Sequence, residues 1–517
     1  MVEWMDASAR PKSSIGASVP EWNLASVHRA LRVGILTRRV QPASATDIAG
    51  YRASLFAQTL REAGYVVHLI SADEQTPVTH PAQPRSAFYT CAKGIHHHRV
   101  SLDDVPRPIG WSEQLNHWVL KRTTQWMGGS FQAFAWQVGL GQLLRHYPMD
   151  CLHVMDLSLL PAAVDQTRLL IPDLSPKQNL LVDLNFQAAR WLHAPQETAQ
   201  SLSQEPNVSS EHIFEHRCIR LLQRLYAKQK VALTLEDWAD EPAGPEGLQE
   251  RWRQKLQRGP SAPLEGSTPD RNANLIGPSS SEAFYSVPNG FPLAYWLERP
   301  IRADVYRSFA GRRVLLLCYP QQLPYDLTGM DTLLEALAAL RARYPALLLL
   351  IVGPLGEDHA PLLQGRLAQW ALADHVRFMP EPMDEETINT CLRASELCLW
   401  PLQNHWRTQE EVPALFPLLQ ALGKPLLVSG GLALADRVAT RQCGLVFQPK
   451  QSASLAEQIA SLLENPVLCQ QLGASAQQWA QQYANWSLSG GAALRTVYRG
   501  LLQPNTPPAL QKQPVAT

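Results

Sequence analysis

Apolar residues first fall into order at Arg32. Val33-Gly34-Ile35-Leu36 is a short continuous run, Tyr51 to Ala63 repeats apolar residues at helical spacing, and Tyr65 to Ile70 is a second run. Strand, loop, helix and strand in that order form a βαβ unit, which requires a parallel sheet. The same pattern predicts strands at Asp150–Val154, Asn179–Val182 and Val231–Leu235. A Pro/Gly/Gln-rich, charged stretch over 240–274 reads as a surface insertion in which Leu248 to Leu256 makes a short surface helix. After a turn at Ser286 to Gly290 a second series begins at Arg313. Val314–Leu317 and Leu347–Val352 are apolar strands around an amphipathic helix, Met330 to Tyr344. Strands at Val376–Phe378, Leu397–Trp400, Pro425–Val428 and Gly444–Phe447 follow, with a helix near Pro413 to Leu422. Ser454-Leu455-Ala456-Glu457 reads as a capping box opening a helix that runs to Asn465-Pro466.

These periods imply the α/β class, with two doubly wound parallel-sheet, Rossmann-like domains facing a cleft. The expected divisions are a disordered N-terminus over 1–29, a first domain over 30–290, a second over 291–502 and a disordered Pro/Gln-rich tail over 503–517.

Composition narrows the function classes. The 46 basic and 46 acidic residues cancel, so no overall field draws the protein to nucleic acid or an anionic membrane. The longest apolar run, Ala346 to Val352, is far short of the ~20 residues of a membrane helix. Glu3 and Asp6 with no apolar core do not resemble a secretory signal. The eight cysteines lack CxxC spacing, which predicts reduced, mostly buried thiols and a cytoplasmic location. There is no GxSxG, P-loop, HExxH or Cys/His zinc set. His96-His97-His98 reads as a solvated loop, since no second ligand cluster of matching spacing accompanies it. Trp126 and Trp136 read as core or interface.

In open parallel sheets ligands bind beyond the carboxyl ends of the strands. The loops to inspect are therefore Thr37 to Gly50, Cys318 to Gly329, Gly353 to Glu357 and Pro401 to Glu411. Gly353-Pro354-Leu355-Gly356 is either a tight turn or a place where backbone approaches a ligand. Cys318 to Gly329 contains no lysine or arginine, whereas Pro401 to Glu411 crowds polar groups after an apolar strand.

Together the residues resemble the GT-B retaining glycosyltransferases of the group 1, or family 4, type. Val287-Pro288-Asn289-Gly290 resembles the family's "IPNG", and Thr328-Gly329-Met330-Asp331-Thr332-Leu333-Leu334-Glu335-Ala336 its "KGxDxLLEA". Leu349 to Gly353 is similar to "LxIVG", Ala421 to Leu427 to "AxGxPVV", and Gly444 to Leu463 to "GLLVxPxDxxxLAxAIxxLL". Asp156 to Ala162 and Leu181-Val182-Asp183-Leu184 resemble the "DLxLLPA … VxD" of some members. The resemblance implies GT-B architecture with an acceptor-side first domain and a nucleotide-sugar-side second domain, the end of the chain packing back on the first. It implies transfer of a hexose from a nucleotide-sugar to a glycan, lipid or small acceptor with retention, with no metal. A lipid acceptor would bring peripheral contact with a membrane.

Carried over by position, Glu410 is the catalytic candidate. Gly329, Gly353, Arg407, Glu410 and Glu411 are donor-side candidates, and Gly50, Asp183 and Asn185 acceptor-side ones. The departures are as informative. The second glutamate of the family's Glu-x7-Glu pair is Leu418, its donor-clamping lysine is Thr328, and its arginine has no counterpart in Cys318 to Thr328. The histidine after "VxD" is replaced by Asn185, and the Gly-Gly loop is reduced to Ala49-Gly50. Each lost cation facing a departing diphosphate costs about 3 kcal/mol, or about 10²-fold in rate. Two readings follow: an active hexosyltransferase, or a degenerate relative that binds or scaffolds an active transferase. A nucleotide-sugar epimerase on the same two-domain plan is a third.

Overall fold

A computed structural model describes residues 30–37, 48–72, 88–90, 94–100, 131–167, 170, 179–185, 210–236, 247–257, 284–320, 323–353, 355, 358–379, 383–405, 407–409, 412 and 415–502. Its first sheet is built from β1 (Arg32–Leu36), β2 (Val66–Ala72), β3 (Phe88–Thr90), β4 (His96–Val100), β5 (Cys151–Val154), β6 (Leu180–Leu184), β7 (Ala232–Leu235) and β8 (Phe284–Ser286). The strands lie in the order β3-β4-β2-β1-β5-β6-β7-β8. All neighbours are parallel except β3, which runs antiparallel to β4 with Phe88 opposite His98. Cys151 to Val154 and Leu180 to Leu184 are buried at every position, as strands covered on both faces must be.

The second sheet holds β9 (Arg313–Cys318), β10 (Leu347–Val352), β11 (Val376–Phe378), β12 (Ser395–Trp400), β13 (Leu426–Ser429) and β14 (Gly444–Phe447) in the order β11-β10-β9-β12-β13-β14, all parallel. The fully apolar Leu347–Val352 run is β10, buried along its length. Its register sets Leu347 opposite Arg313 and Val352 opposite Cys318. Helix Met330–Leu340 buries Met330, Leu333, Leu334, Leu337 and Leu340, a stripe at helical spacing.

Two stretches of chain join the halves and lie side by side. Phe291 N donates to Ala484 O at 2.9 Å and Trp486 N to Phe291 O at 2.9 Å. The closing helix, Gly490–Leu502, then packs back on the first sheet: Trp486 Nε1 donates to Thr59 Oγ1 at 2.8 Å, and the Tyr498 hydroxyl meets His153 Nδ1 at 2.9 Å.

Several local expectations are corrected. His96 to His98 is not a solvated loop but strand β4, and His98 Nε2 lies 2.8 Å from His68 Nδ1 on β2, both imidazoles buried. The run was misjudged because histidine counts as polar, yet a neutral ring packs as an aromatic: His68 stacks on His98 at 5.1 Å and on His96 at 4.9 Å. Among the described residues no group of three or more His, Cys, Asp or Glu is placed to hold a metal.

Leu248 to Leu256 is helical, Leu248–Gln257, but not a surface appendage. Leu248, Trp252 and Leu256 are buried at i, i+4 and i+8, with Trp252 0% exposed. The rest of the 240–274 stretch lies outside the described residues. The capping box is also absent, because the helix starts at Ser452, three residues early, with Gln451 at the N-cap. Ser454 Oγ instead accepts from Gln448 N at 3.1 Å. That helix ends at Glu464, where Asn465 caps the next one, Pro466–Tyr483, by accepting from Leu468 N at 3.0 Å. Trp136 is buried in the core, 3% exposed, while Trp126 lies outside the described residues.

Candidate functional site

The order of strands in the second sheet reverses between β9 and β12: β9, β10 and β11 are laid down toward one edge, β12, β13 and β14 toward the other. At such a switch point the loops beyond the strand ends diverge and leave a crevice. Four loops meet there, and their residues decide what the crevice can hold.

Beyond β9, Gly329 has φ +69, and a Cβ on it would sit 1.8 Å from Pro401 O. Only glycine fits against that carbonyl, so Gly329 keeps the loops after β9 and β12 in contact. Its neighbour Thr328 is buried; its hydroxyl donates to Tyr325 O at 2.6 Å and accepts from Met330 N at 3.3 Å. The position of the resemblance's lysine thus carries a hydroxyl committed to the turn. Gly353, beyond β10, has φ +124, and a Cβ there would lie 3.2 Å from Tyr319 O, so it is a tight turn packed on Tyr319.

Around that turn Tyr319 Oη and His359 Nδ1 are 2.8 Å apart, and Tyr325 Oη donates to Asp331 Oδ1 at 3.0 Å. Burial pushes the Tyr319 phenol up to about 12, and burial with the Asp331 charge raises Tyr325, so both remain protonated at neutral pH. Arg366 donates to Asp331 Oδ2 at 3.0 Å, a partly exposed pair.

The loop after β12 is tied into a knot. The Thr408 hydroxyl lies 2.6 Å from Gln403 O and 2.8 Å from His405 O, and it accepts from His405 N at 3.0 Å. Arg407 N donates to His405 Nδ1 at 3.2 Å, and Gln409 Nε2 donates to Gly431 O at 2.9 Å, joining this loop to the one after β13. Burial and then the Arg407 charge lower the His405 imidazole, which favours its neutral form. Arg407 is half-buried here and supplies positive charge at the crevice. Glu410 and Glu411 lie outside the described residues. Leu418 is 2% exposed in a helix, Phe416–Ala421, whose side chains are all buried. The resemblance's second glutamate therefore maps into the core of this chain.

On the first sheet, Gly50 lies in the first turn of helix Ile48–Glu62. Asp183 is buried in a bidentate pair: Arg52 Nε donates to Oδ2 at 2.9 Å and NH2 to Oδ1 at 3.1 Å, with both side chains 0% exposed. Thr234 Oγ1 also donates to Asp183 Oδ1 at 2.8 Å. That hydroxyl must then accept from His153 Nε2 at 3.0 Å, which leaves Nδ1 to accept from Tyr498. The chain of bonds needs a neutral imidazole, and burial does hold His153 low, at about 4. Asp183 thus commits its carboxylate to Arg52 and Thr234 inside the protein. Asn185 is buried too, its Nδ2 donating to Met155 O at 2.9 Å. Sequence reasoning missed Arg52, whose signal was a lone cation in an otherwise apolar helical stripe.

Comparison with known proteins follows this division. Residues 312–479, which hold the crevice, match the family model of group 1 glycosyl transferases. The D-inositol 3-phosphate glycosyltransferase of Jonesia denitrificans is 31% identical over 162 residues, 30% of this chain and 37% of the relative. A GDP-mannose-dependent alpha-(1-6)-phosphatidylinositol monomannoside mannosyltransferase of Mycobacterium tuberculosis is 24% identical over 223 residues, 42% of this chain and 56% of the relative. The chain thus spans about half, or less, of the curated relatives it matches. Sucrose-phosphate synthase from Thermosynechococcus elongatus superposes with TM-score 0.60 at 15% identity, covering 92% of this chain and 100% of the other. Anabaena HepE in complex with UDP-glucose gives 0.56 at 14% identity, covering 92% and 100%. The fold is that of the GT-B glycosyltransferases. Among the described residues no helix is long and apolar enough to cross a membrane.

Proposed function

We propose that this protein binds a nucleotide-sugar in the crevice beyond β9, β10, β12 and β13 and transfers its hexose, with retention and no resident metal, to a glycan, lipid or small acceptor. The observation that carries the reading is the convergence of four loops at the switch point of the sheet that matches the family model. Arg407 is the cation assigned to the leaving diphosphate, and Glu410 the carboxylate assigned to the donor. Gly329 and Gly353 serve indirectly, holding the loops together rather than touching ligand.

A second reading, a binding partner of an active transferase, is favoured by two observations: Thr328 spends its hydroxyl on its own turn, and Leu418 is buried where a donor carboxylate would be needed. Calorimetry with UDP, GDP, UDP-glucose and GDP-mannose, coupled to an assay for released nucleoside diphosphate, decides among these. Donor binding with turnover supports the transferase. Saturable binding without turnover supports the partner. No binding of any of the four, each of which at a hundredfold over its Kd would add about 2.7 kcal/mol of stability, overturns the transferase reading and leaves the partner reading standing.

A further inference from the structure

Two buried polar atoms at the carboxyl ends of β12 and β13 lack the partners that buried oxygens require. Gln403 is 6% exposed and Ser429 0%, yet Gln403 Oε1 and Ser429 Oγ accept or donate no hydrogen bond. They stand on adjoining loops. β12 pairs with β13 so that Trp400 lies opposite Val428, which brings Pro401 level with Ser429 and Gln403 just beyond. The loops are clasped by Gln409, which donates to Gly431 O at 2.9 Å, and by Asn404, whose Nδ2 would lie 2.7 Å from a Cβ on Gly431. The main chain on either side is well satisfied: Gln403 N donates to Leu327 O at 2.9 Å, and Gly430 N to Phe447 O at 2.9 Å. The unmet capacity therefore belongs to the side chains.

An unmet buried oxygen is costly, and a leucine or alanine in its place would remove that cost. Proteins tolerate such local conflicts chiefly where function requires them. The chemistry of the pair then limits the ligand. Gln403 Oε1 is an acceptor, the Pro401 carbonyl packs against the same Gly329, and Ser429 Oγ can donate or accept. A phosphate offers only acceptor oxygens and could pair with the Ser429 hydroxyl but not with Gln403 Oε1, whereas a sugar hydroxyl donates and accepts at once and can meet both.

We propose that Gln403 and Ser429 are the specificity residues that bind hydroxyl groups of the hexosyl moiety, while the diphosphate takes its donors elsewhere in the crevice. This inference rests on the nucleotide-sugar reading above. It is tested by titrating wild type, Gln403→Met, Gln403→Leu and Ser429→Ala with UDP and UDP-glucose, and with GDP and GDP-mannose, alongside thermal melts. The expected result is about a tenfold or larger loss of affinity for the preferred nucleotide-sugar, with affinity for its nucleoside diphosphate within about twofold of wild type. The melting temperature of each variant should equal or exceed that of wild type. Unchanged nucleotide-sugar affinity in the variants, or equal losses for sugar-bearing and sugar-free ligands, overturns the assignment while leaving the nucleotide-sugar reading in place. A lower melting temperature in all three overturns it as well, because the two atoms would then serve the fold through ordered water. If wild type binds no nucleotide-sugar, both fall together.

Discussion

The two sheets handle buried polarity in opposite ways. Beneath the first, Arg52, Asp183, Thr234, His153 and Tyr498 are linked by a continuous run of buried hydrogen bonds. At the mouth of the second, Gln403 and Ser429 are left with unmet oxygens, and a polar loop carrying His405 and Arg407 stands half-buried over them. That network ties the closing helix to the first sheet through Tyr498. An incomplete one has capacity to spare. The contrast leaves the side chains of Asp183 and Asn185 engaged within the first half.

The sharpest way to break this comparison is Arg52→Ala. It leaves the fully buried Asp183 carboxylate without its cation and should cost about 3–5 kcal/mol in urea denaturation. Arg52→Met with Asp183→Leu should recover much of that loss, and a loss as large in the double variant would show that the pair is not a closed unit. Trp252→Ala should cost about 3–5 kcal/mol, because it empties a buried site beside the first sheet. A small effect would return that helix to the status of a surface insertion. Leu418→Glu should destabilise by about 2–3 kcal/mol through an unpaired carboxylate in an apolar helix face. Tolerance with tighter nucleotide-sugar binding would point instead to a decayed donor site.

A smaller effect comes with pH. Burial lowers His68 to about 3, His98 to about 4 and His153 to about 4, from an ordinary value of 6.5. Below 6.5 the unfolded chain takes up protons that the native rings refuse, so their contribution is complete above that pH. It is lost progressively as pH falls toward 4. Thermal melts between pH 7 and pH 4.5 should show that decline, and His153→Gln, which cannot titrate, should flatten part of it. Glu410→Gln should leave the melting temperature unchanged and sharply reduce donor turnover. Unaltered turnover would remove Glu410 from the donor site.

How much of this was legible in the sequence depended on what each feature needed. The strands β9, β10, β12 and β13 were readable because parallel strands buried on both faces are continuous apolar runs. β4 was not, since three histidines resemble solvent until β2 places His68 against them. Trp252 was hidden by the polar residues around it, which face away from the core. At the crevice the loops could be chosen from strand ends alone, but the reason for Gly329 could not. It lies in the Pro401 carbonyl, far along the chain. Thr328, Leu418 and Asn185 stood out as departures from a pattern. Gln403 and Ser429 gave no signal, because a missing hydrogen bond exists only in three dimensions.

The claim that the second sheet's mouth is the ligand site is tested most directly by hydrogen–deuterium exchange of the wild-type protein with and without saturating UDP-glucose or GDP-mannose. Ligand bound in the crevice predicts slowed exchange at amides of 402–405 and 429–431, with the amides around Asp183 and Asn185 unchanged. Protection confined to the first sheet, or none in either half under conditions where binding is measured, would contradict it.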